Sequence, residues 1–318
     1  MRSLICSFLF NLIFPVFIYA HTNYPEIVVS QDGSGDFVSI QDAVNSVRDF
    51  TPEPRIIRIK KGIYREKVEI PSWKCDITLL GDAAEETIIY YDDYAALNQM
   101  GTFRTYTLRI QGNRVVLENL TIENRAGRVG QAVALHVEGD LVSVRNCRLL
   151  GNQDTLFTGN ENSRQYYDSC YIEGTTDYIF GPATCWFDRC VLHSKSDSYI
   201  TAASTPKDHL YGYVFYRCNL TASKDVSKVY LGRPWRPYSA VVFWSCQMGR
   251  HIRPEGWDNW RNVENEKTAR YMEYNSVGEG SNSCSRVDWS VQLDEKDASL
   301  YVPELVLGGN WYKRPSQK

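Results

Sequence analysis

The sequence feature that most limits the fold is an eight-residue pattern that recurs six times between residues 115 and 248. In each copy, apolar residues alternate with other residues on both sides of one anchor position. Successive anchors lie 20 to 28 residues apart. The anchors are Leu120, Cys147, Cys170, Cys190, Cys218 and Cys246. A period of this length is typical of a solenoid, in which each repeat forms one coil.

The phase of the pattern predicts the shape of each coil. Strict alternation indicates a strand, but here the alternation slips just before the anchor, where Asn, Ser or Arg stands in every copy. Each coil should therefore contain two strands joined by a bend. An ordinary β-sandwich is the alternative, but it predicts Asn-Gly or Asp-Gly hairpins between repeats, and the repeats contain none. The sequence thus predicts an all-β, single-stranded parallel β-helix.

A solenoid needs cover at its ends, because the end coils otherwise expose unpaired strand edges. Ser39 is predicted to cap a short helix whose apolar residues follow helical spacing, and this helix should cover the N-terminal end. Residues 302–311 are predicted to pack back as a cover near the C-terminus.

The first 20 residues predict a secretory signal. Arg2 precedes an apolar run that reaches Ile18, and Ala20 provides a small residue for cleavage. A membrane anchor is the alternative, but Asn11 and Pro15 interrupt the run. We therefore expect a secreted protein without a membrane span, with one domain over residues 21–318. The net charge of −3 argues against general nucleic-acid binding.

Two aspartates stand at the same offset in consecutive repeats. Asp154 and Asp177 each lie seven residues after their anchors, so stacked coils would stack their carboxylates. Like charges sharing a site have pKa values driven apart, and one charged plus one protonated carboxyl suits two-role catalysis. However, Asp197 and Asp225 share this offset. A solvated column of aspartates therefore explains the spacing as well as a catalytic pair does.

Neighbouring residues favour the catalytic interpretation. Gln153 adjoins Asp154, and Gln131 heads a strand one coil earlier; amide groups can donate to a developing oxyanion without adding charge. Arg233 and Trp235 stand on one turn, where a guanidinium could hold a carboxylate bidentately. Each residue also has a plain alternative, namely a polar surface group, a surface ion pair or a buried aromatic anchor.

Six short motifs, taken together, resemble the pectin methylesterase family. They occur in the order of the family and span nearly all of the chain after the signal. The motifs are Asp-Gly-Ser-Gly at 32–35, Gly-Ile-Tyr-Arg-Glu at 62–66, Gln-Ala-Val-Ala-Leu at 131–135, Gln-Asp-Thr-Leu at 153–156, Asp-Tyr-Ile-Phe-Gly at 177–181 and Leu-Gly-Arg-Pro-Trp at 231–235. The resemblance implies that the β-helix is right-handed.

The resemblance also implies a role for each polar residue. Asp177 would be the nucleophile that attacks the methyl ester of a galacturonate unit. Asp154 would protonate the departing methanol and then activate water. Gln131 and Gln153 would stabilise the oxyanion, and Arg233 would hold Asp177 ionised.

Four aromatic residues complete the implied site. Trp235 and Trp257 match the tryptophans on which sugars bind in the family. Phe157 and Tyr178 stand where Tyr and Phe are commoner, and both are expected to contact substrate.

Cysteines and glycosylation sequons add further expectations. The resemblance makes Cys170 and Cys190 the best candidates for a disulfide, whereas a buried column of free thiols is the alternative for the anchor cysteines. Asn119 and Asn219 begin glycosylation sequons. Both overlap predicted strand bends.

The function expected from the resemblance is hydrolysis of pectin methyl esters in the cell wall, without a metal or other cofactor. Methyl-esterified homogalacturonan would be the substrate, a proteinaceous pectinesterase inhibitor a further partner, and the enzyme a monomer that binds neither nucleic acid nor membrane. A β-helix glycoside hydrolase and a non-catalytic wall-binding protein are the alternatives. The presence of Asp154, Asp177, Gln131 and Arg233 argues against the non-catalytic protein.

Overall fold

The computed structural model describes residues 26–313, so the predicted signal segment lies outside the described residues. The strands form three sheets, here named A, B and C, and every strand pair is parallel. Within each repeat the chain passes from sheet A to sheet B to sheet C and then returns to sheet A one level further on. The predicted parallel β-helix is confirmed.

Each strand belongs to one of the three sheets. Sheet A contains Ile27–Val29, Arg55–Ile59, Ile77–Gly81, Val116–Glu118, Val142–Arg145, Arg164–Asp168, Thr184–Asp188, Tyr213–Tyr216, Ala240–Trp244, Arg270–Tyr274 and Val291–Gln292. Sheet B contains Gly62–Arg65, Thr87–Tyr91, Thr121–Asn124, Arg148–Leu150, Tyr171–Gly174, Val191–Ser194, Asn219–Ala222 and Gln247–Met248. Sheet C contains Val68–Ile70, Leu108–Ile110, Leu135–Val137, Leu156–Thr158, Ile179–Gly181, Tyr199–Ala203 and Tyr230–Gly232.

Helices are short and lie outside the coils. The α-helices are Ile40–Ser46, Glu295–Ala298 and Pro303–Val306. The 3-10 helices are Leu97–Gln99, Thr102–Arg104, Val263–Lys267, Ser283–Ser285 and Ser299–Tyr301. Among residues 26–313, none of these is long and apolar enough to cross a membrane.

The predicted bend is a single residue in the left-handed conformation between sheets A and B. In all six repeats the residue before the anchor has a φ angle between 46° and 57°. These residues are Asn119, Asn146, Ser169, Arg189, Arg217 and Ser245. The N–H of Asn146 donates to the Asp168 carbonyl of the next coil at 2.9 Å, so the bend keeps its place in the hydrogen-bonded ladder. One residue therefore turns the chain without a loop.

Stacked side chains fill the interior. The rings of Tyr167, Phe187, Phe215 and Phe243 form a ladder along sheet A, with successive centroids 4.6, 4.5 and 4.5 Å apart. Parallel in-register strands impose this order, because neighbours lie about 4.8 Å apart and equivalent side chains point the same way. Apolar burial along the ladder then stabilises every coil against the next.

The anchor cysteines form the predicted inward column, but all eight cysteines of residues 26–313 are free thiols. The predicted disulfide between Cys170 and Cys190 is therefore wrong. Cys170 Sγ donates to the Val144 carbonyl at 3.4 Å, and Cys190 Sγ donates to the Tyr167 carbonyl at 3.6 Å. Side chains stacked in register at about 4.8 Å are further apart than the roughly 3.8 Å that a disulfide needs between Cβ atoms.

Both predicted covers are present, but the second covers a different surface. Ser39 accepts a hydrogen bond from the Asp42 N–H and caps the helix Ile40–Ser46, whose apolar face is buried at the N-terminal end. Near the C-terminus, Leu307 and Tyr312 pack on the outer face of sheet A rather than on the last coil. That face is apolar, with Trp186, Val214, Val242 and Met272 in register.

The two sequons differ in their surroundings. The Asn219 side chain is exposed, whereas Asn119 accepts a hydrogen bond from Asn146 at 2.8 Å. Their glycosylation stays a prediction.

The free thiols predict a simple labelling pattern. With an excess of a thiol reagent and no reductant, only the exposed Cys284 and the half-buried Cys75 should react in the native protein. The anchor cysteines are all buried and should stay unreactive because the reagent cannot reach them; for Cys147, burial also raises the pKa of the thiol to about 12. Denaturation should then release all eight thiols of residues 26–313. A count lower by two under denaturing conditions would show a disulfide.

Candidate active site

A pocket of about 270 Å³ opens on the outer face of sheet C. Its lining consists of Thr102, Phe103, Gln131, Gln153, Asp154, Asp177, Phe180, Ala202, Arg233, Trp235 and Trp260. Of the residues predicted from sequence, the two paired aspartates, both glutamines, the arginine and the first tryptophan therefore meet here. They come from segments up to about a hundred positions apart in the chain.

Strand register brings the two aspartates together. Leu156 pairs with Ile179 between adjacent coils, and Asp154 and Asp177 each stand two residues before these partners. Both aspartates have left-handed φ angles, 66° for Asp154 and 50° for Asp177. Asp tolerates this conformation better than most residues do. Their N–H groups donate to the next coil, to the Thr176 carbonyl at 3.1 Å and the Tyr199 carbonyl at 2.9 Å respectively.

Arg233 holds Asp177 through two hydrogen bonds. Its Nε donates to Oδ1 at 3.0 Å and its Nη2 donates to Oδ2 at 2.7 Å. The arginine follows strand Tyr230–Gly232, and its N–H donates to the Thr201 carbonyl at 2.9 Å. Gly232 lies so close to the Thr201 hydroxyl that a Cβ there would collide with it. The glycine thus lets the turn approach the neighbouring strand, and the approach sets the position of the guanidinium.

Burial and charge separate the two carboxyl groups. Burial raises the pKa of Asp154 well above its ordinary value; the nearby Asp177 charge adds to the shift and Arg233 opposes it. Burial also raises the pKa of Asp177, but the direct Arg233 hydrogen bonds oppose that shift. Asp154 is therefore the group that keeps its proton, and Asp177 is the group that ionises first.

The other two aspartates of the predicted column do not line this pocket. Asp197 is exposed and accepts hydrogen bonds from the N–H groups of Ser227 and Lys228 at 2.8 and 2.9 Å. These bonds, that of Ser227 foremost, lower the pKa of Asp197. Asp225 is also exposed. The shared offset therefore yields a buried pair at two coils and solvated carboxylates at the next two.

The two glutamines lie on adjacent coils. Gln131 and Gln153 form an isolated parallel bridge, and both line the pocket beside Asp154. Their amides are neutral donors, the kind of group that stabilises an oxyanion. Within residues 26–313, no group of three or more His, Cys, Asp or Glu side chains is arranged to hold a metal ion.

Aromatic rings form one wall of the pocket. The Phe180 and Trp235 centroids lie 5.8 Å apart, and both residues line the pocket. Phe157 packs behind them, 4.8 Å from Phe180 and 4.8 Å from Phe103. Its predicted substrate contact is therefore corrected to a supporting one, because it is only 8% exposed and lies outside the lining.

Two other predicted contacts are wrong. Trp257 is buried, because its segment pairs with Gly232 and turns the indole inward onto Tyr271, with centroids 4.3 Å apart. Tyr178 is fully buried, and its hydroxyl lies 3.2 Å from the Ser194 hydroxyl.

Trp260 occupies the pocket instead, three residues after Trp257. Sequence reasoning also missed Thr102, Phe103 and Ala202. Phe180 was also missed, although the sequence contained a signal for it. It pairs with Phe157 on the neighbouring strand, and register partners point to the same face of the sheet.

Two adjacent carboxyl groups, one of them held by an arginine, and two neutral amides surround one pocket on a β-helix, an arrangement suited to acyl transfer. A family profile described as Pectinesterase matches residues 26–310. The chain belongs to the pectinesterase family and is a carboxylic ester hydrolase.

Relatives and solved structures agree with this assignment. The chain is 41% identical to "Pectinesterase 31" of Arabidopsis thaliana over 285 residues, which cover 86% of this chain and 89% of the relative. It is 38% identical to "Putative pectinesterase 11" of the same organism, covering 91% and 81%. The structure of pectin methylesterase from carrot matches with a TM-score of 0.86 and 31% identity, covering 91% of this chain and 95% of that one.

The raised pKa of Asp154 predicts a stabilising substitution. A carboxyl group whose pKa is raised in the folded state destabilises the protein as the pH rises above the pKa of the group in the unfolded chain, ordinarily 3.8. Asp154→Asn removes this penalty, so its melting temperature should exceed that of the wild type at pH 7 by more than at pH 4. The expected gain is about 2 to 4 °C for each kcal/mol recovered.

Asp197→Asn is the matched control. Its carboxylate has a lowered pKa, so its neutralisation should give no gain at pH 7. Equal melting temperatures for Asp154→Asn and wild type at both pH values would contradict the assignment of a protonated Asp154.

Proposed function

We propose that Asp177 is the nucleophile through which this chain hydrolyses the methyl esters of pectin, leaving pectate and methanol. One observation carries the proposal: Arg233 grips both oxygens of Asp177, while the adjacent Asp154 lacks such a partner and has its pKa raised by burial. The pair thus supplies a charged nucleophile and a proton donor side by side.

The first half-reaction forms an acyl-enzyme. A carboxylate oxygen of Asp177 attacks the ester carbonyl, and the carbonyl oxygen becomes an oxyanion facing the amides of Gln131 and Gln153. As the tetrahedral intermediate collapses, the bond to the methoxy group breaks and Asp154 gives that oxygen its proton. Methanol leaves, and an anhydride joins Asp177 to the galacturonate unit.

The second half-reaction restores the enzyme. Asp154, now a carboxylate, takes a proton from water, and the oxygen of that water attacks the galacturonate carbonyl of the anhydride. The same amides stabilise the second oxyanion. Asp177 departs as a carboxylate, and Arg233 favours that departure because it binds the charged form at both oxygens.

The aromatic wall is proposed to bind the sugar chain. Trp235 lines the pocket with a partly exposed indole suited to the apolar face of a sugar ring. Trp260 offers a second partly exposed indole at the same pocket. A pectin methylesterase 27% identical to this chain, with a TM-score of 0.81 and coverage of 91% and 98%, is described as an aspartate-to-alanine mutant in complex with a hexasaccharide. A sugar polymer in this groove fits that description.

Partners and location are also part of the proposal. We expect a secreted, monomeric enzyme that acts in the cell wall without a metal. Inhibition by a proteinaceous pectinesterase inhibitor is also expected. One relative, 36% identical, is named "Probable pectinesterase/pectinesterase inhibitor 23" of Arabidopsis thaliana, and this chain spans 52% of it.

Methanol release from esterified pectin tests the nucleophile. The wild type should release methanol without creating new reducing ends, and Asp177→Asn should lower kcat by roughly a thousandfold or more. Asp197→Asn, outside the pocket, should keep wild-type activity. A wild type that releases no methanol contradicts the esterase, and new reducing ends would indicate a glycoside hydrolase. An active Asp177→Asn would refute the nucleophile.

The pKa order predicts a bell-shaped pH profile of kcat/KM. Activity should fall at low pH as Asp177 becomes protonated and at high pH as Asp154 loses its proton. Substituting Arg233→Lys removes the bidentate grip and should move the acidic limb to higher pH, because the pKa of Asp177 then rises further. An acidic limb at the wild-type pH in this variant would show that Arg233 does not control Asp177.

A further inference from the structure

The guanidinium that holds Asp177 is itself enclosed by two aromatic rings. The Cζ atom of Arg233 lies 3.9 Å from the ring centroid of Tyr199 and 3.7 Å from that of Trp260. Its edge meets the carboxylate of Asp177. Since a guanidinium is planar, contacts on both faces and along one edge leave it little freedom to rotate.

Strand register fixes the position of the Tyr199 ring. Tyr199 begins the strand Tyr199–Ala203, which pairs with the strand that follows Asp177, and its carbonyl accepts the Asp177 N–H at 2.9 Å. It also pairs with Tyr230, and the two rings stack with centroids 5.3 Å apart at an interplanar angle of 11°. Arg253 covers the far face of this pair, 4.6 Å from the Tyr230 centroid. The Tyr199 ring is therefore held from behind while its front face meets Arg233.

Trp260 closes the other face from a loop. Its φ angle of 59° places it in the left-handed region, and its N–H donates to Asp258 Oδ1 at 2.8 Å. Unlike Tyr199, Trp260 also lines the pocket. Tyr199 thus contacts the arginine without lining the space that substrate would occupy.

We propose that Tyr199 is a positioning residue for the reaction, acting through Arg233 to keep the nucleophile aligned. The inference rests on the proposed role of Asp177 as nucleophile. The Tyr199 and Trp260 rings form an aromatic clamp, which holds the guanidinium plane in line with both carboxylate oxygens. Without the Tyr199 ring, the guanidinium can rotate and part of its grip on Asp177 is lost.

The clamp affects how Asp177 titrates. Four other titratable groups face this region: Arg233 opposes the rise in the pKa of Asp177, Asp258 adds to it, and Asp154 and Tyr271 interact with its charge. Of these, only Arg233 contacts the Tyr199 ring. Loosening Arg233 therefore leaves the effects of burial and of Asp258 less opposed, so the pKa of Asp177 rises.

The experiment compares kcat, KM and the pH profile of kcat/KM for Tyr199→Leu and wild type on esterified pectin. We expect kcat to fall roughly 3- to 30-fold with little change in KM, as loss of one cation–π contact implies. The acidic limb should move to higher pH. Tyr199→Phe keeps the ring and should retain the wild-type limb and rate.

Two further variants separate positioning from packing. Tyr171→Leu removes a ring from sheet B, where it stacks on His193, so it should lower the melting temperature without moving the limb. Trp260→Leu removes the ring on the opposite face of Arg233 and should move the limb in the same direction as Tyr199→Leu. This variant tests the clamp if Tyr199→Leu does not fold. An unmoved limb in a folded Tyr199→Leu, or in Trp260→Leu where Tyr199→Leu does not fold, would overturn the clamp, as would equal losses in Tyr199→Phe and Tyr199→Leu.

The same assays distinguish this inference from the proposed function. If wild type releases methanol and Asp177→Asn does not, the nucleophile stands whatever the Tyr199 variants show. If wild type releases none, the ester hydrolysis itself fails. If Asp177 acts as the nucleophile but the acidic limb of Tyr199→Leu and of Trp260→Leu stays at the wild-type pH, only the clamp proposal fails.

Discussion

The in-register stacking of parallel coils is the constraint on which the site depends. Each coil repeats the conformation of the one before it, so residues at equal offsets on neighbouring coils lie about 4.8 Å apart along the axis of the helix. The pairing of Leu156 with Ile179 therefore places Asp154 directly one coil before Asp177. Two carboxyl groups that would repel each other in solution are held together by a backbone ladder and an apolar interior that stabilise the stack independently of them.

This enforced proximity would be costly without Arg233. Two buried carboxylates cannot both ionise cheaply, and a single cation placed asymmetrically decides which one does. Arg233 pairs with Asp177 through both oxygens and acts on Asp154 only at longer range. The difference in chemistry between two equivalent aspartates thus comes from a turn that follows the strand Tyr230–Gly232, two coils further along sheet C.

The periodic part of the molecule could be predicted from sequence because it repeats. Six copies of one pattern revealed the coils, and the polar residue before each anchor marked a bend that the structure shows in the left-handed conformation. Periodicity could not separate Asp154 and Asp177 from Asp197, because a solvated carboxylate at the same offset has the same spacing. Their burial depends on what covers each coil from outside, and that is supplied by segments without a repeat.

The misplaced aromatic residues show where this limit lies. Trp257 and Trp260 stand in one short loop, and nothing in their spacing says which indole turns inward. The choice follows from the bridge between Trp257 and Gly232, which continues sheet C by one residue and buries that side chain. Trp260, past the end of the pairing, is left to cover Arg233. The stacked strands thus fix the aspartates, the glutamines and Tyr199, whereas the irregular loop completes the enclosure around the guanidinium. A β-helix can therefore keep one rigid row of polar side chains while its loops alter the walls of the groove.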